Sequence, residues 1–164
     1  MGNVQITLVL ATFLCSLVAG FVFAFAVVVM PGIRNLTDGE FLRSFQVMDR
    51  VIQNNQPLFL FVWLGSALAL ILCAGLGVFE LTGLDRLLLL TATILYLFLV
   101  QLPTIAINIP LNNKLQRLDV DTLNDHEREI ARTEFEPRWN RWNTIRTIFA
   151  CVSSGLLMTL LLRQ

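Results

Sequence analysis

Charge is scarce in this sequence, and it is absent over long distances. From Met1 to Ile33, and again from Leu87 to Asn113, there is no Asp, Glu, Lys or Arg. Charged residues make up 15% of the chain, against about 25% in soluble domains. Hydrophobic residues make up 55%, and mean hydropathy is +0.68. A surface so poor in charge cannot all face water. The formal net charge is zero, which excludes nucleic acid as a partner, since nothing here would neutralise a run of phosphates.

Metal ligands are scarce as well. The one histidine, His126, lies in a charged run, so multi-histidine metal sites and paired axial haem ligands are excluded. His126-x-x-Glu129 resembles half of a di-iron pattern read backwards, but a bundle di-iron site needs two Glu-x-x-His pairs. A surface histidine is the simpler reading. Cys15, Cys73 and Cys151 each fall in a different apolar run, which suits small packing residues better than a disulfide framework. There is no glycine-rich phosphate loop and no Gly-x-Ser-x-Gly elbow. No metal and no cofactor is expected.

What is present is apolar sequence of membrane length. A bilayer core needs about 20 apolar helical residues, and four runs supply them: roughly 4–30, 58–79, 87–109 and 145–162. The last is short between Arg146 and Arg163 and spans if both arginines snorkel to the interfaces. The first contains Ala24-Phe25-Ala26, which fits a cleavage site. It has no basic residue ahead of it and is too long for a signal-peptide core, so a retained span is expected. The chain is therefore read as all-α, a four-transmembrane-helix bundle in a single integral membrane domain, 1–164, with amphipathic capping helices on one side.

The connections carry the charge. Met30-Pro31-Gly32 should stop the first helix. Asp38 is expected to cap an amphipathic helix to about Asn54, with Phe41, Phe45, Met48 and Ile52 on one face. Spans two and three are joined by the short Glu80–Arg86 link, so they should be antiparallel neighbours. Asn124 or Asp125 should start a helix in the last connection, and Pro137 suits the first turn of span four. All the basic residues except Arg86 and Arg163 fall on the side of the two longer connections. The positive-inside rule then puts those connections in the cytoplasm and both termini outside, in a bacterial inner membrane.

Three polar sets fall at that same membrane surface. Near the start of span four, Trp139, Trp142, Asn143 and Arg146 form one helical stripe. Tryptophan and arginine there would serve as an interfacial anchor, whereas asparagine adds nothing to an anchor and suits a polar pocket mouth. At the end of span three, Gln101, Thr104, Asn108 and Asn112 share a face. Amides this deep should point into the bundle, either for inter-helix hydrogen bonds or for a ligand. Pro103 and Pro110 free carbonyls beside them. In the first long connection, Gln46, Asp49 and Gln53 recur at i, i+3 and i+7, as on a solvated helix face or a third wall of one site.

The segments AFAVVVMPGIRNL, FQVMDRVIQ, NIPLNNKL and WNRWNTIR, in this order, resemble the four-helix membrane family that includes the anthrone oxygenases of aromatic polyketide pathways. The most specific pieces are Asn108-x-Pro110-x-Asn112 and Trp142-Asn143-x-x-Arg146. The resemblance implies oxidation of a planar phenolic compound by O₂, without a metal. It further implies an aromatic slot, donors for an oxyanion, and a base. Carried onto this chain, Arg146, Asn108, Asn112 and Asn143 would stabilise the oxyanion and Asp49 would be the base. Trp139, Trp142, Gln46 and Gln101 would hold the substrate. The partners expected are the lipid bilayer, a planar aromatic small molecule, and a second copy or another membrane protein. Two rival readings stand beside this one: a non-catalytic membrane subunit or scaffold that binds a protein or lipid through its polar cap, and a transporter, which would need charge inside the membrane.

Overall fold

The computed structural model describes residues 2–164 and consists of five helices. They are α1 (Asn3–Ile33), the amphipathic α2 (Asp38–Gln53), α3 (Pro57–Glu80), α4 (Gly83–Gln116) and α5 (Asp125–Leu161). No strand occurs among the described residues. All but α2 are long and apolar enough to cross a bilayer. The fold is the all-α, four-span bundle expected of a multi-pass membrane protein. α1 packs between α3 and α5, and α5 packs along α4. α3 closes the ring by meeting α4 along Gly83–Tyr96, and has little contact with α4 beyond it. Gly77 permits the close approach there, since a Cβ at that position would overlap Leu89 Cδ2.

Two apolar clusters stack along the bundle. The membrane-level core runs from Val4 and Leu8 through Val18, Leu70, Tyr96 and Leu157. The cap core gathers Met30, Phe41, Phe45, Leu115, Phe135 and Trp139 under α2. Burying each large side chain stabilises the cap by about 1.5–3 kcal/mol. Polar ties then fix α2: Arg132 donates to Asp38 at 3.0 Å and to the Leu36 and Arg34 carbonyls at 3.0 and 2.6 Å.

Several boundaries differ from expectation, each for a local reason. The N-cap of α2 is Thr37, not Asp38. The Thr37 hydroxyl and amide both donate to Glu40 Oε2, at 2.7 and 3.0 Å, which holds the Glu40 carboxyl below its usual range. Asp38 is left free to receive Arg132. At α5 Asn124 is the N-cap, in a reciprocal box with Glu127. Pro137 lies inside α5, not in its first turn. It is exposed, and so is Thr133, whose carbonyl the proline leaves without a donor, so water can serve that carbonyl at little cost.

The other prolines act differently. Three π turns interrupt the spans: Phe25–Val29, Leu97–Gln101 and Thr104–Asn108. Each ends two residues before a proline, Pro31, Pro103 or Pro110. A helical proline cannot donate to the carbonyl four residues back, and its ring collides with that carbonyl. Widening the preceding turn moves the carbonyl away. The helices therefore pass through these prolines, and α1 reaches Ile33 instead of stopping at Met30-Pro31-Gly32.

Candidate functional site

All three π turns border one cavity. It lies between the two cores, has a volume of about 310 Å³, and receives side chains from all five helices. Ligand cavities typically measure about 300–1,000 Å³, so this one suits a compact ring system. Its polar lining is Asp49, Gln53, Gln101, Thr104, Asn108, Asn112, Asn113, Asn143 and Arg146. Members of all three polar sets thus meet here, because the cap lays α2 across the ends of α4 and α5.

Arg146 is the deepest charge. It is 5% exposed, and no carboxylate forms an ion pair with it among the described residues. Its Nη1 donates to Thr104 Oγ1 at 3.0 Å and its Nη2 to Asn143 Oδ1 at 2.9 Å. Asn143 is oriented in turn by α1, donating through Nδ2 to the Val22 carbonyl at 3.1 Å. Arg146 Nε has no partner, nor do Gln101 Nε2 and either polar atom of Asn108. Asn108 is 2% exposed. An unsatisfied buried polar group costs about 1–3 kcal/mol, and here several share one empty space.

Asp49 stands at the cap end. Its Oδ1 accepts from Asn112 Nδ2 at 2.8 Å, and its Oδ2 accepts from Gln53 Nε2 and Gln116 Nε2 at 2.8 and 3.0 Å. A carboxylate offers about four acceptor positions, so one remains open on Oδ1. Asn112 also accepts from Trp139 Nε1 at 2.8 Å, and Arg146 lies over the Trp139 ring, 5.8 Å from its centre. One continuous wall therefore runs from the carboxylate through Trp139 to the guanidinium. Among the described residues, Asp49 and Arg146 are the only ionisable side chains on it.

The apolar walls come from Phe21 and Phe25 on α1, Phe45 on α2, Phe59 and Trp63 on α3, and Trp139 on α5. Phe59 and Trp63 stack at 5.4 Å, and Phe45 meets Trp139 edge-on at 5.2 Å. Sequence reasoning did not single out Phe21, Phe25, Phe59 or Trp63. Their i, i+4 spacing, Phe21 with Phe25 and Phe59 with Trp63, was the available signal.

Two expected site residues lie outside the cavity. Trp142 is half-buried and absent from the wall, because three residues turn an α-helix about 60° away from the Trp139 direction. Gln46 is buried, and its Nε2 donates to the Leu115 and Leu118 carbonyls at 2.8 and 2.9 Å. It caps the end of α4, where the Leu118 carbonyl has run out of helical donors and the Leu115 carbonyl also accepts from the Leu118 amide at 3.1 Å. Gln46→Ala should therefore lower stability by about 1–3 kcal/mol, read as a fall in the thermal midpoint in detergent, with ligand affinity retained below that midpoint. An unchanged midpoint would refute the clamp.

The anthrone oxygenase family model matches residues 45–156, well over half of the chain. The chain belongs to the anthrone oxygenase family. No curated protein and no solved structure matches it. In this anthrone oxygenase family member the matched segment holds every polar residue of the cavity, while the α1 wall, Phe21 and Phe25, lies outside it. The first of the four resembling segments, Ala24–Leu36, lies outside it too.

Proposed function

We propose that the cavity binds a planar phenolic compound of the anthrone type and oxidises it with O₂ to the quinone. The observation that carries this reading is the set of unpartnered polar atoms on Asn108, Gln101 and Arg146 within an aromatic-walled cavity. Asp49 takes a proton from the ring methylene, leaving an anion whose charge sits on the ring oxygen. Arg146 Nε and the Asn108 and Gln101 amides donate to that oxygen, with Asn143 orienting Arg146. Asn112 couples Trp139 to Asp49 and keeps both in place. The electron-rich carbon then bonds to O₂, and the peroxide takes back a proton. Loss of the second proton from that carbon breaks the O–O bond, giving the new carbonyl and one water. Anthrone and O₂ thus become anthraquinone and H₂O.

We place the polar cap on the cytoplasmic side of a bacterial inner membrane. Cap-side Arg43, Lys114, Arg128 and Arg132 pair with acids, whereas Arg34, Arg50, Arg117, Arg138 and Arg141 form no ion pair among the described residues. On the opposite side there are only Arg86 and Arg163, the latter paired with Asp85, and it is this asymmetry of Lys and Arg, not net charge, that the positive-inside rule reads.

The test is turnover of anthrone by the purified protein in nanodiscs under ¹⁸O₂, with autoxidation subtracted. One ¹⁸O atom in the quinone, formed faster than the background, is the expected result. A rate equal to background would remove the oxidation and leave the membrane-subunit reading in front.

A further inference from the structure

We propose that the cavity is filled from the bilayer, through a lateral port between α3 and α4, and that its ligand is a membrane-dissolved planar ring with a polar edge. This needs only the cavity and does not rest on the oxidation chemistry. The seam is the first observation. α3 meets α4 along Gly83–Tyr96 and has little contact with it toward the cap, where the two π turns widen α4. Leu64 on α3 and Ile105 on α4 both line the cavity, yet they are 59% and 63% exposed. A side chain that does both stands at a mouth.

The surroundings of that mouth are the second observation. Phe61 and Leu68 on α3, and Phe98 and Leu102 on α4, are large apolar side chains left exposed. On a spanning helix that surface faces hydrocarbon, so the mouth opens into lipid. The aqueous side is the third. α2 lies across it, and Asp49 and Gln53 are tied to α4 through Asn112, Gln116 and Asn113. A ligand arriving from water would have to part these bonds. One arriving from the bilayer displaces only acyl chains, then turns its polar edge toward Asn108 and Arg146. Bulky charged molecules, which do not dissolve in hydrocarbon, are excluded by this route.

Access can be read without any turnover, using Thr104→Cys on the cavity wall in a Cys151→Ser background. Cys15 and Cys73 are buried, whereas Cys151 is exposed. The protein in nanodiscs is treated with a neutral aryl methanethiosulfonate, which partitions into lipid, or with anionic sulfonatoethyl methanethiosulfonate, which stays in water. Modification is followed by protein mass. The aryl reagent should react with the introduced thiol at least about tenfold faster, and Leu64→Phe with Ile105→Phe should slow it by about the same factor. These two positions face lipid, so the substitutions leave the helix packing intact. Ile148→Phe, on an exposed face of α5 away from the seam, should leave the rate unchanged. Three results would overturn the port: equal or faster labelling by the anionic reagent, no labelling by the aryl reagent, or indifference to Leu64 and Ile105. A protein that oxidises nothing still answers the question.

Discussion

Arg146→Met should lower anthrone turnover by about 10²–10³ while leaving the thermal midpoint of the bundle unchanged or higher. The two halves of that expectation have the same origin. Arg146 is a guanidinium removed from water without a carboxylate partner. Removing a cation from water costs several kcal/mol even after relaxation. Its bonds to Thr104 Oγ1 and Asn143 Oδ1 return part of that. Neutral acceptors do not return all of it, and Nε is left with nothing. Methionine keeps the apolar stem and discards the charge, a change that is often neutral or stabilising at buried sites.

An anion in the cavity would complete the hydrogen bonding of Nε and supply the missing counter-charge at once. Arg146→Lys offers a sharper comparison. It keeps a positive charge but loses the planar fork that reaches Thr104, Asn143 and the cavity together, so its turnover should lie between the other two. A parallel fall in activity and thermal midpoint for Arg146→Met would mean that Arg146 is a strut between α4 and α5, and the oxyanion role would be lost.

The parts of this molecule that were legible in the sequence are those governed by periodicity and solvation. Absence of charge over Met1–Ile33 and Leu87–Asn113 is enough to require spans, because hydrocarbon admits no alternative to a helix here. The stripe Gln101, Thr104, Asn108 and Asn112 was legible because an amide facing lipid is too costly to keep. What could not be read was the path of the helix axis. Pro31, Pro103 and Pro110 look like stops, and each is absorbed by a π turn whose extra residue shifts every following side chain around the helix. Which aromatics then face inward depends on that shift and on the ring order of the helices. Phe59, Trp63 and Trp142 lie on helices without a π turn, and there the ring order decides: Phe59 and Trp63 join the wall, while Trp142 points about 60° away from Trp139. Gln46 shows a second limit. Its spacing with Asp49 and Gln53 places all three on one face of α2, but nothing local says that the end of α4 will occupy Gln46 first.

Asp49→Asn should be comparably damaging, by about 10²–10⁴, and for a different reason. The replacement is the same size but removes the proton acceptor, and it converts half of the carboxylate into another donor. Asn112, Gln53 and Gln116 all present N–H groups to Asp49, so an amide there cannot accept from all three. Hydrogen bonds to a charged group contribute about 1.5–3 kcal/mol each. Some loss of stability is therefore expected, and a lower rate alone would not separate a base from a scaffold. The pH dependence does. If Asp49 removes the proton, the variant must rely on hydroxide or on substrate that ionises in solution. Its rate should then climb as pH rises, and the gap to the wild type should close as the substrate becomes ionised before it binds. If Asp49 only positions Asn112 and Trp139, the variant should stay slower by a constant factor at every pH at which both proteins remain folded. Measuring both profiles with the same anthrone, over the range where the wild-type bundle is stable, distinguishes a lost proton acceptor from a displaced wall.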